Sequence, residues 1–496
     1  MKILLVHPHY PDSFWSFRHA LRFISKKAAV PPLGLITVSA MLPYDWEKKL
    51  VDLNVTTLKE KDIKWADYVF ISAMYIQKES AQKIIEDCKR LRTKTVAGGP
   101  LFTQDYNNYP DIDHMVLNEA EITLPLFLAD LKKGMPQKIY RTMNFPDISS
   151  TPVPDFHLLS RKNYAFMNIQ VSRGCPYACE FCEITSLFGH RVRTKTTKQI
   201  LSELDKLYEL RWRGPVFIVD DNFIGNIKAI KYDLLPAMKV WMQEHKYPFV
   251  FNTEASINLA DDEELLKIMT EAGFNSVFIG IETPEEESLS ECNKVQNRNR
   301  SLLEGVRKIQ NAGLQVSGGF IVGFDNDSPS VFQRQVDFIQ QSGIVSAMVG
   351  LLNAPKNTKL YERLEAEKRI VSNSTGNNTD LTMNFTPRMD YDELITGYKK
   401  IIHDIYTTKP YYKRIRKLLI NYKPQKKNHV KFNLTEFIGF LRSVFVIGVV
   451  NKGRRDYWKF MFWAFFNRPS LFVDAVAFSI YGYHFRTVYG LKKNKY

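Results

Sequence analysis

The chain has 496 residues, 45% of them apolar and 24% charged, and carries a net charge of +15. That length exceeds one simple core and predicts two or three domains, while the apolar content excludes a disordered chain. Five cysteines, and a start (Met1-Lys2-Ile3-Leu4-Leu5-Val6) that reads as a buried strand and not as a leader, argue against a disulfide-built secreted protein.

Residues 1–142 read as a first domain. Lys2–His7 is a short buried strand ended by Pro8, and Lys48–Asp52, Tyr68–Ser72 and Thr95–Ala97 are further apolar runs that stop at turn residues. Between them Pro32–Leu42 and Ala81–Leu91 have helical spacing. Strands alternating with helices predict an α/β domain with an open parallel sheet. Ligands of such sheets bind beyond the carboxyl ends of the strands. Those ends carry His7-Pro8-His9, Asp52-Leu53-Asn54, Ser72-Ala73 and Gly98-Gly99-Pro100. No Gly-x-Gly-x-x-Gly follows the first strand, which disfavours the usual dinucleotide fold. Residues 143–160 read as a linker.

The second domain, 161–388, opens on Arg173-Gly174-Cys175-Pro176-Tyr177-Ala178-Cys179-Glu180-Phe181-Cys182. Three thiolates can hold three irons of a cubane cluster whose full complement is four, leaving one iron for an outside ligand. A zinc site would want a fourth ligand and usually a repeated pair, and His190 is the only nearby candidate. Cys88 and Cys292 stand alone and read as ordinary buried thiols. Cys-x3-Cys-x2-Cys with Phe181 before the third cysteine resembles the signature of radical S-adenosylmethionine (SAM) enzymes. The resemblance implies a 4Fe-4S cluster on Cys175, Cys179 and Cys182, with SAM chelated at the open iron and cleaved by an electron to methionine and a 5′-deoxyadenosyl radical.

Beyond the cysteines the pattern of strand then helix repeats. The predicted strands are Met167–Ser172, Val216–Val219, Phe249–Thr253, Ser276–Ile281, Gln315–Ile321 and Ser346–Leu351. Helices over Thr197–Arg211, Glu263–Ala272 and Ser301–Ala312 separate them, and six such units predict a partial (β/α)6 TIM-type barrel. Strand ends carry Asp220-Asp221-Asn222, Thr253-Glu254, Glu282-Thr283 and Gly323-Phe324-Asp325. Carboxylates at several successive strand ends are costly to bury unpaired, so they read as site residues. By resemblance, Phe181, Asp220, Asp221, Asn222, Glu254, Glu282, Ile321 and Gly323 form the SAM pocket. The loop Asn373-Ser374-Thr375-Gly376-Asn377-Asn378-Thr379 reads as a surface connection.

The first domain resembles the cobalamin-binding, flavodoxin-like domain that precedes many radical SAM cores, through Pro31-Pro32-Leu33-Gly34-Leu35, Gly98-Gly99-Pro100 and Asn118-Glu119-Ala120-Glu121. The implied cobalamin contacts are Pro32, Leu33, Gly34, Asp52, Ser72, Gly98, Gly99, Glu119 and Glu121. Two departures stand: Asp-x-His-x-x-Gly is absent, and Asn118 replaces the first glycine of Gly-Glu-x-Glu. The segments Asp220–Asn226, Thr253–Ala260 and Phe278–Pro284 are similar to the subgroup that includes the hopanoid methylases, over about residues 1–410.

Residues 389–496 read as a mostly helical, basic and aromatic extension. From 410 onward 18 Lys or Arg face three acids, so this segment holds the whole net charge and the first 409 residues balance. Phe437–Val450, Tyr457–Phe466 and Leu471–Phe485 are apolar runs too short to span a bilayer, which needs about 20 residues. Basic residues beside Trp- and Phe-rich helices suit an interfacial membrane helix, with a solvated face on the barrel as the rival reading. Nucleic acid is disfavoured, because no recognised motif accompanies the charge.

The resemblance implies a cytoplasmic enzyme that takes electrons from a flavodoxin or ferredoxin, and the basic segment 410–496 would set it peripherally at the inner face of the membrane. It implies methylation of an unactivated carbon in a lipid, isoprenoid or other small molecule. A cobalamin-dependent rearrangement or ring closure is the second reading, and a non-catalytic iron–sulfur redox or sensor protein the third.

Overall fold

Lys2–His7 (β1) carries four consecutive side chains, Ile3 to Val6, with no exposed surface, so it needs cover on both faces. It pairs in parallel with Glu47–Asp52 (β2) and Tyr68–Ser72 (β3). Lys94–Gly98 (β4), His114–Val116 (β5) and Ile139–Tyr140 (β6) complete the sheet in the order β2-β1-β3-β4-β5-β6. Leu4 and Val6 pack with Ile84 and Ile85 of helix Lys78–Arg90 on one face. Ile3 and Leu5 pack with Leu35 and Phe127, from helices Leu33–Met41 and Ala120–Lys132, on the other. The last two strands add to the four expected from sequence. The computed structural model describes residues 1–424 and 434–491.

Met167–Ile169 (β7) is shorter than expected, because the Val171 N–H donates to the Asp220 carboxylate at 2.7 Å instead of to a strand. Ser172–Arg173 (β8) pairs antiparallel with Arg193–Thr194 (β9) as a separate ribbon. Gly214–Ile218 (β10), Phe249–Ala255 (β11), Phe274–Glu282 (β12), Gln315–Val322 (β13) and Ala347–Leu351 (β14) form the second parallel sheet with β7. Its order, β14-β13-β12-β11-β10-β7, leaves β7 and β14 unjoined, as a partial barrel requires. Alternation fixes its two faces. On β12, Val277, Ile279 and Ile281 are buried in the main core, while Phe278, Gly280 and Glu282 line a cavity.

Helices Tyr391–Tyr406, Thr408–Asn421, Leu434–Phe445, Arg454–Asn467 and Phe472–Val488 form the carboxyl-terminal layer. Tyr406 joins it to β14, its hydroxyl donating to the Ala347 carbonyl at 2.6 Å. Not all of the basic charge faces outward. Arg414 is buried, with Nη1 donating to the Ile405 carbonyl at 2.8 Å and its guanidinium 5.2 Å from the Tyr411 ring; Arg486 is buried as well. Basic residues 426, 427, 431, 492, 493 and 495 lie outside the described residues. Among the described residues no helix is long and apolar enough to cross a membrane.

Candidate active site

Gly174 turns the chain out of β8 with φ +92°, where a Cβ would strike the carbonyls of Arg191 and Gly189. The loop that follows presents Cys175, Cys179 and Cys182 as free, partly exposed thiols. Glu180 bolts its middle in place. The Glu180 N–H donates to the Cys292 carbonyl and its own carbonyl accepts from the Leu360 N–H, both at 2.9 Å. Its carboxylate accepts from Arg363 Nε and Nη2 at 2.8 and 3.1 Å. Arg363 and Arg369 also pair with Asp325 at 3.0 and 2.6 Å, so the predicted strand-end group Gly323-Phe324-Asp325 belongs to this brace. Burial pushes the Cys182 thiol up to about 12 and raises Cys175 too, so these thiols hold their protons until a cation competes. Among the described residues no three His, Cys, Asp or Glu side chains converge on a single ion position. Three thiols spread along one loop fit a polynuclear cluster, in which each iron takes one thiolate.

Lys294 stands beside the thiols. Its ammonium donates to Glu282 at 2.5 Å and lies 5.9 Å from the centre of the Phe181 ring. Burial opposes its charge, but Glu282 and the cysteines Cys179 and Cys182 reverse that and raise its pKa. Glu282 reaches the pair through a β12 bulge with φ +63°. A Cβ on Gly280 would displace the tips of both partners. Gln296 places its amide 3.7 Å from Cys179 Sγ.

Two further carboxyls, Glu254 and Asp221, are partly buried and have no salt bridge among the described residues. Desolvation pushes Glu254 up to about 8, helped by Asp221 and Asp220, and pushes Asp221 up to about 7, helped by Asp220. A partly buried carboxyl pair with raised pKa values fits a cationic ligand such as the ammonium and sulfonium of SAM. Phe181, Asp221, Glu282 and Ile321 line a cavity of about 470 Å³ inside the open side of the barrel.

Four other predicted SAM residues lie outside this wall, although Asn222 reaches the Cys175 thiol. Asp220 is fully buried, and its oxygens accept from Val171 N–H at 2.7 Å and the Ser172 hydroxyl at 2.6 Å. Asn222 is buried and accepts from the Ser256 N–H at 3.2 Å. Gly323 donates to Asp327 at 2.8 Å. Glu254 is outside the cavity wall, within electrostatic reach of Asp221 and Lys294. The loop at 373–378, expected to be a plain surface connection, forms part of this wall instead, with Gly376 packed against Tyr75 and Ile76.

A second cavity of about 270 Å³ opens at the carboxyl ends of β3 and β4. Leu33, Gly34, Ser72, Gly98, Gly99, Glu119 and Glu121 all line it. A Cβ on Gly34 would meet nothing within 4 Å, so the wall leaves room for a ligand there. Pro32 and Asp52 are not in the wall. Asp52 is buried and accepts from the Tyr164 hydroxyl at 2.9 Å and the Asn54 amide at 2.8 Å. Pro32 caps helix Leu33–Met41, next to Pro31, whose carbonyl accepts from Asn168 at 3.0 Å.

The two glutamates point at arginines and not only into the cavity. Arg173 binds Glu119 at 2.6 Å and Glu121 at 2.8 Å, and Arg193 binds Glu119 at 2.7 Å. These carboxylates thus line the cavity while ion-paired to the β8–β9 ribbon. Asn118 has φ +63°, which explains why asparagine can stand in the glycine position. The two cavities share Pro100, Leu187 and Phe188 in their walls.

Comparison with known proteins agrees with this geometry. The radical SAM superfamily model matches residues 169–339, a B12 binding domain model residues 23–128, and a domain of unknown function, DUF4070, residues 358–495. An uncharacterized methyltransferase, sll1242, of Synechocystis is 40% identical over 98% of this chain and 91% of that protein. Hopanoid C-2 methylase of Rhodopseudomonas palustris is 33% identical over 92% of this chain and 88% of that protein. The fold is shared with the radical SAM methyltransferase TsrM of Kitasatospora setae, with cobalamin and a 4Fe-4S cluster bound. That structure has a TM-score of 0.60 and 14% identity over 92% of this chain and 98% of that one.

Proposed function

The chain belongs to the cobalamin-binding radical SAM enzymes that include hopanoid C-2 methylase, with a 4Fe-4S cluster, SAM and cobalamin as cofactors, and on that premise we propose that it methylates an unactivated carbon of an apolar lipid or isoprenoid. The observation that carries this reading is the pair of cavities meeting at Pro100, Leu187 and Phe188. One lies at the strand ends of the cobalamin-type sheet, and the other beside the thiols. Apolar side chains on the second wall, including Phe278, Phe320, Ile321, Met348 and Leu351, suit a hydrocarbon, while Gln104, Asn353 and the loop at 373–378 offer partners to a polar group of the same molecule.

In this reading Cys175, Cys179 and Cys182 ligate three irons. Phe181, Asp221, Glu254, Glu282 and Lys294 surround SAM, and Leu33, Gly34, Ser72, Gly98 and Gly99 hold cobalamin. When bound, these cofactors supply reductive radical chemistry and a transferable methyl group. The chain's own part is positional. Lys294 stays protonated and balances thiolate charge. Asp221 and Glu254 provide negative charge for a cationic ligand once it enters. The aromatic wall excludes water from the reacting carbon. A flavodoxin or ferredoxin supplies electrons. The basic carboxyl-terminal segment sets the enzyme in the cytoplasm, at the inner face of the membrane.

The test uses SAM labelled with deuterium in its methyl group, reconstituted enzyme, dithionite and an isoprenoid lipid extract. A lipid product carrying labelled methyl supports methylation. Formation of 5′-deoxyadenosine with a rearranged, unlabelled product overturns it in favour of ring closure. No 5′-deoxyadenosine from an intact cluster overturns both.

A further inference from the structure

Helix Leu434–Phe445, extended through Val450, runs against helix Arg454–Asn467. The Ser443 and Tyr457 hydroxyls meet at 3.0 Å, and the Trp458 indole N–H donates to the Gly448 carbonyl at 2.9 Å. Their inner sides bury Ile447, Tyr457, Phe460, Met461 and Ala464. Their outer sides do not follow the usual rule. Leu441, Phe445 and Val449 on the first helix and Phe462, Phe465 and Phe466 on the second are 49% to 75% exposed. Ring contacts of 5.7 Å (Phe465 to Phe472) and 5.8 Å (Phe472 to Phe440) tie the two helices together beside this surface. A run of large apolar side chains with no cover among the described residues marks an interaction surface.

Charge says which partner it fits. Arg455, Lys459, Phe462 and Phe466 follow at intervals of four, three and four residues, so basic and aromatic side chains share one stripe of the helix. Lys452, in the turn before this helix, and Arg454, its first residue, are both exposed. Two of the segment's three acids are engaged elsewhere: Asp456 accepts from the Thr408 hydroxyl at 2.6 Å and Asp474 from the Gln315 amide at 3.0 Å. A second copy of the chain would set this basic rim against itself. An anionic bilayer satisfies both features, with aromatic rings in the acyl boundary and cations at the headgroups.

We propose that the face formed by Phe445, Phe462 and Phe466 with Lys452, Arg454, Arg455 and Lys459 docks the enzyme on an anionic membrane surface. This rests on the membrane setting proposed above and names the surface that makes the contact. A line of rings leads from the same layer to the substrate cavity. Phe485 stacks on Phe14 at 4.3 Å, Phe14 meets Trp15 at 4.8 Å, and Trp15 meets Phe278 of the cavity wall at 5.2 Å. The docked face thus shares the carboxyl-terminal layer with helix Phe472–Val488, whose Phe485 begins this line of rings.

Flotation of the full chain with phosphatidylcholine vesicles, with and without about one-third phosphatidylglycerol, tests this. The expected result is at least about tenfold more protein floating with the anionic vesicles, reversed by about 0.5 M NaCl. The combined variant Phe445→Glu, Phe462→Glu and Phe466→Glu is expected to stay in the bottom fraction. So is the pair Arg455→Glu with Lys459→Glu. Both should keep the wild-type melting midpoint and reductive SAM cleavage. Wild-type protein that stays soluble with anionic vesicles overturns membrane contact altogether. Variants that float like wild type overturn this face while contact by another surface stands. A wild-type dimer without lipid that the phenylalanine variant converts to monomer assigns the face to a second copy and overturns the proposal.

Discussion

Arg173, two residues before Cys175, holds Glu121 of the first domain through two hydrogen bonds of 2.8 and 3.0 Å. Burial resists ionisation of Glu121, but this guanidinium outweighs it and keeps the carboxyl below the usual carboxylate range. The same side chain reaches Glu119 at 2.6 Å, so one arginine fixes the cysteine loop against the neighbouring domain.

Arg173→Ala is expected to destabilise the protein by about 3 kcal/mol, because it leaves Glu121 without a cation and Glu119 with Arg193 alone. Urea titration of the apoprotein measures the loss. Iron content after reconstitution should fall with it. Glu121→Gln, which keeps the shape and removes one charge, should cost less than half as much.

Replacing any one of Cys175, Cys179 or Cys182 by alanine is expected to drop iron and sulfide from about four per chain to below about one and to abolish 5′-deoxyadenosine formation. Cys88→Ala should keep full iron, since burial pushes that thiol up to about 12 and places it in the first domain's core. Iron and sulfide assays on the four variants decide.

Lys294→Met leaves Glu282 buried without its cation, and SAM binding is expected to weaken at least about tenfold. Lys294→Arg, which keeps the charge, should lose less. Equilibrium binding of SAM to the reconstituted enzyme separates the two, and unchanged binding in Lys294→Met would remove this residue from the site.

His484 gives a pH dependence with a definite sign. Burial lowers its pKa from 6.5 to about 4, against a hydrogen bond between Nε2 and the Phe14 carbonyl at 3.0 Å. His19 and Asp12 face the same ring and act in opposite directions. The unfolded chain takes up a proton below pH 6.5 that the folded chain refuses, so stability is lost as pH falls from 6.5 towards 4. The loss is on the order of 3 kcal/mol. Urea midpoints across that window should fall in the wild type and stay flatter in His484→Gln.

The two sheets were legible because buried parallel strands leave unbroken apolar runs, and the cysteine loop because its spacing is rare. Parity would have sorted Asp220 from Asp221. Asp220 shares the inward register of Val216 and Ile218, whereas Asp221 alternates into the cavity. The strands His114–Val116 and Ile139–Tyr140 were too short to show a period. Arg193 and Arg363 left no local signal. Each acts on a group far along the chain, 74 residues away for Arg193 and Glu119 and 183 for Arg363 and Glu180. The carboxylates of Glu119 and Glu121 carried a recognisable motif, but only the folded chain shows that two arginines occupy them.

Leu187 and Phe188, which separate the two cavities, sit on the helix Ile184–Phe188, which starts two residues after Cys182. The partition is thus strung on the same short thread as the iron ligands. Any displacement of the cysteine loop is therefore passed within a few residues to the wall that both cavities share.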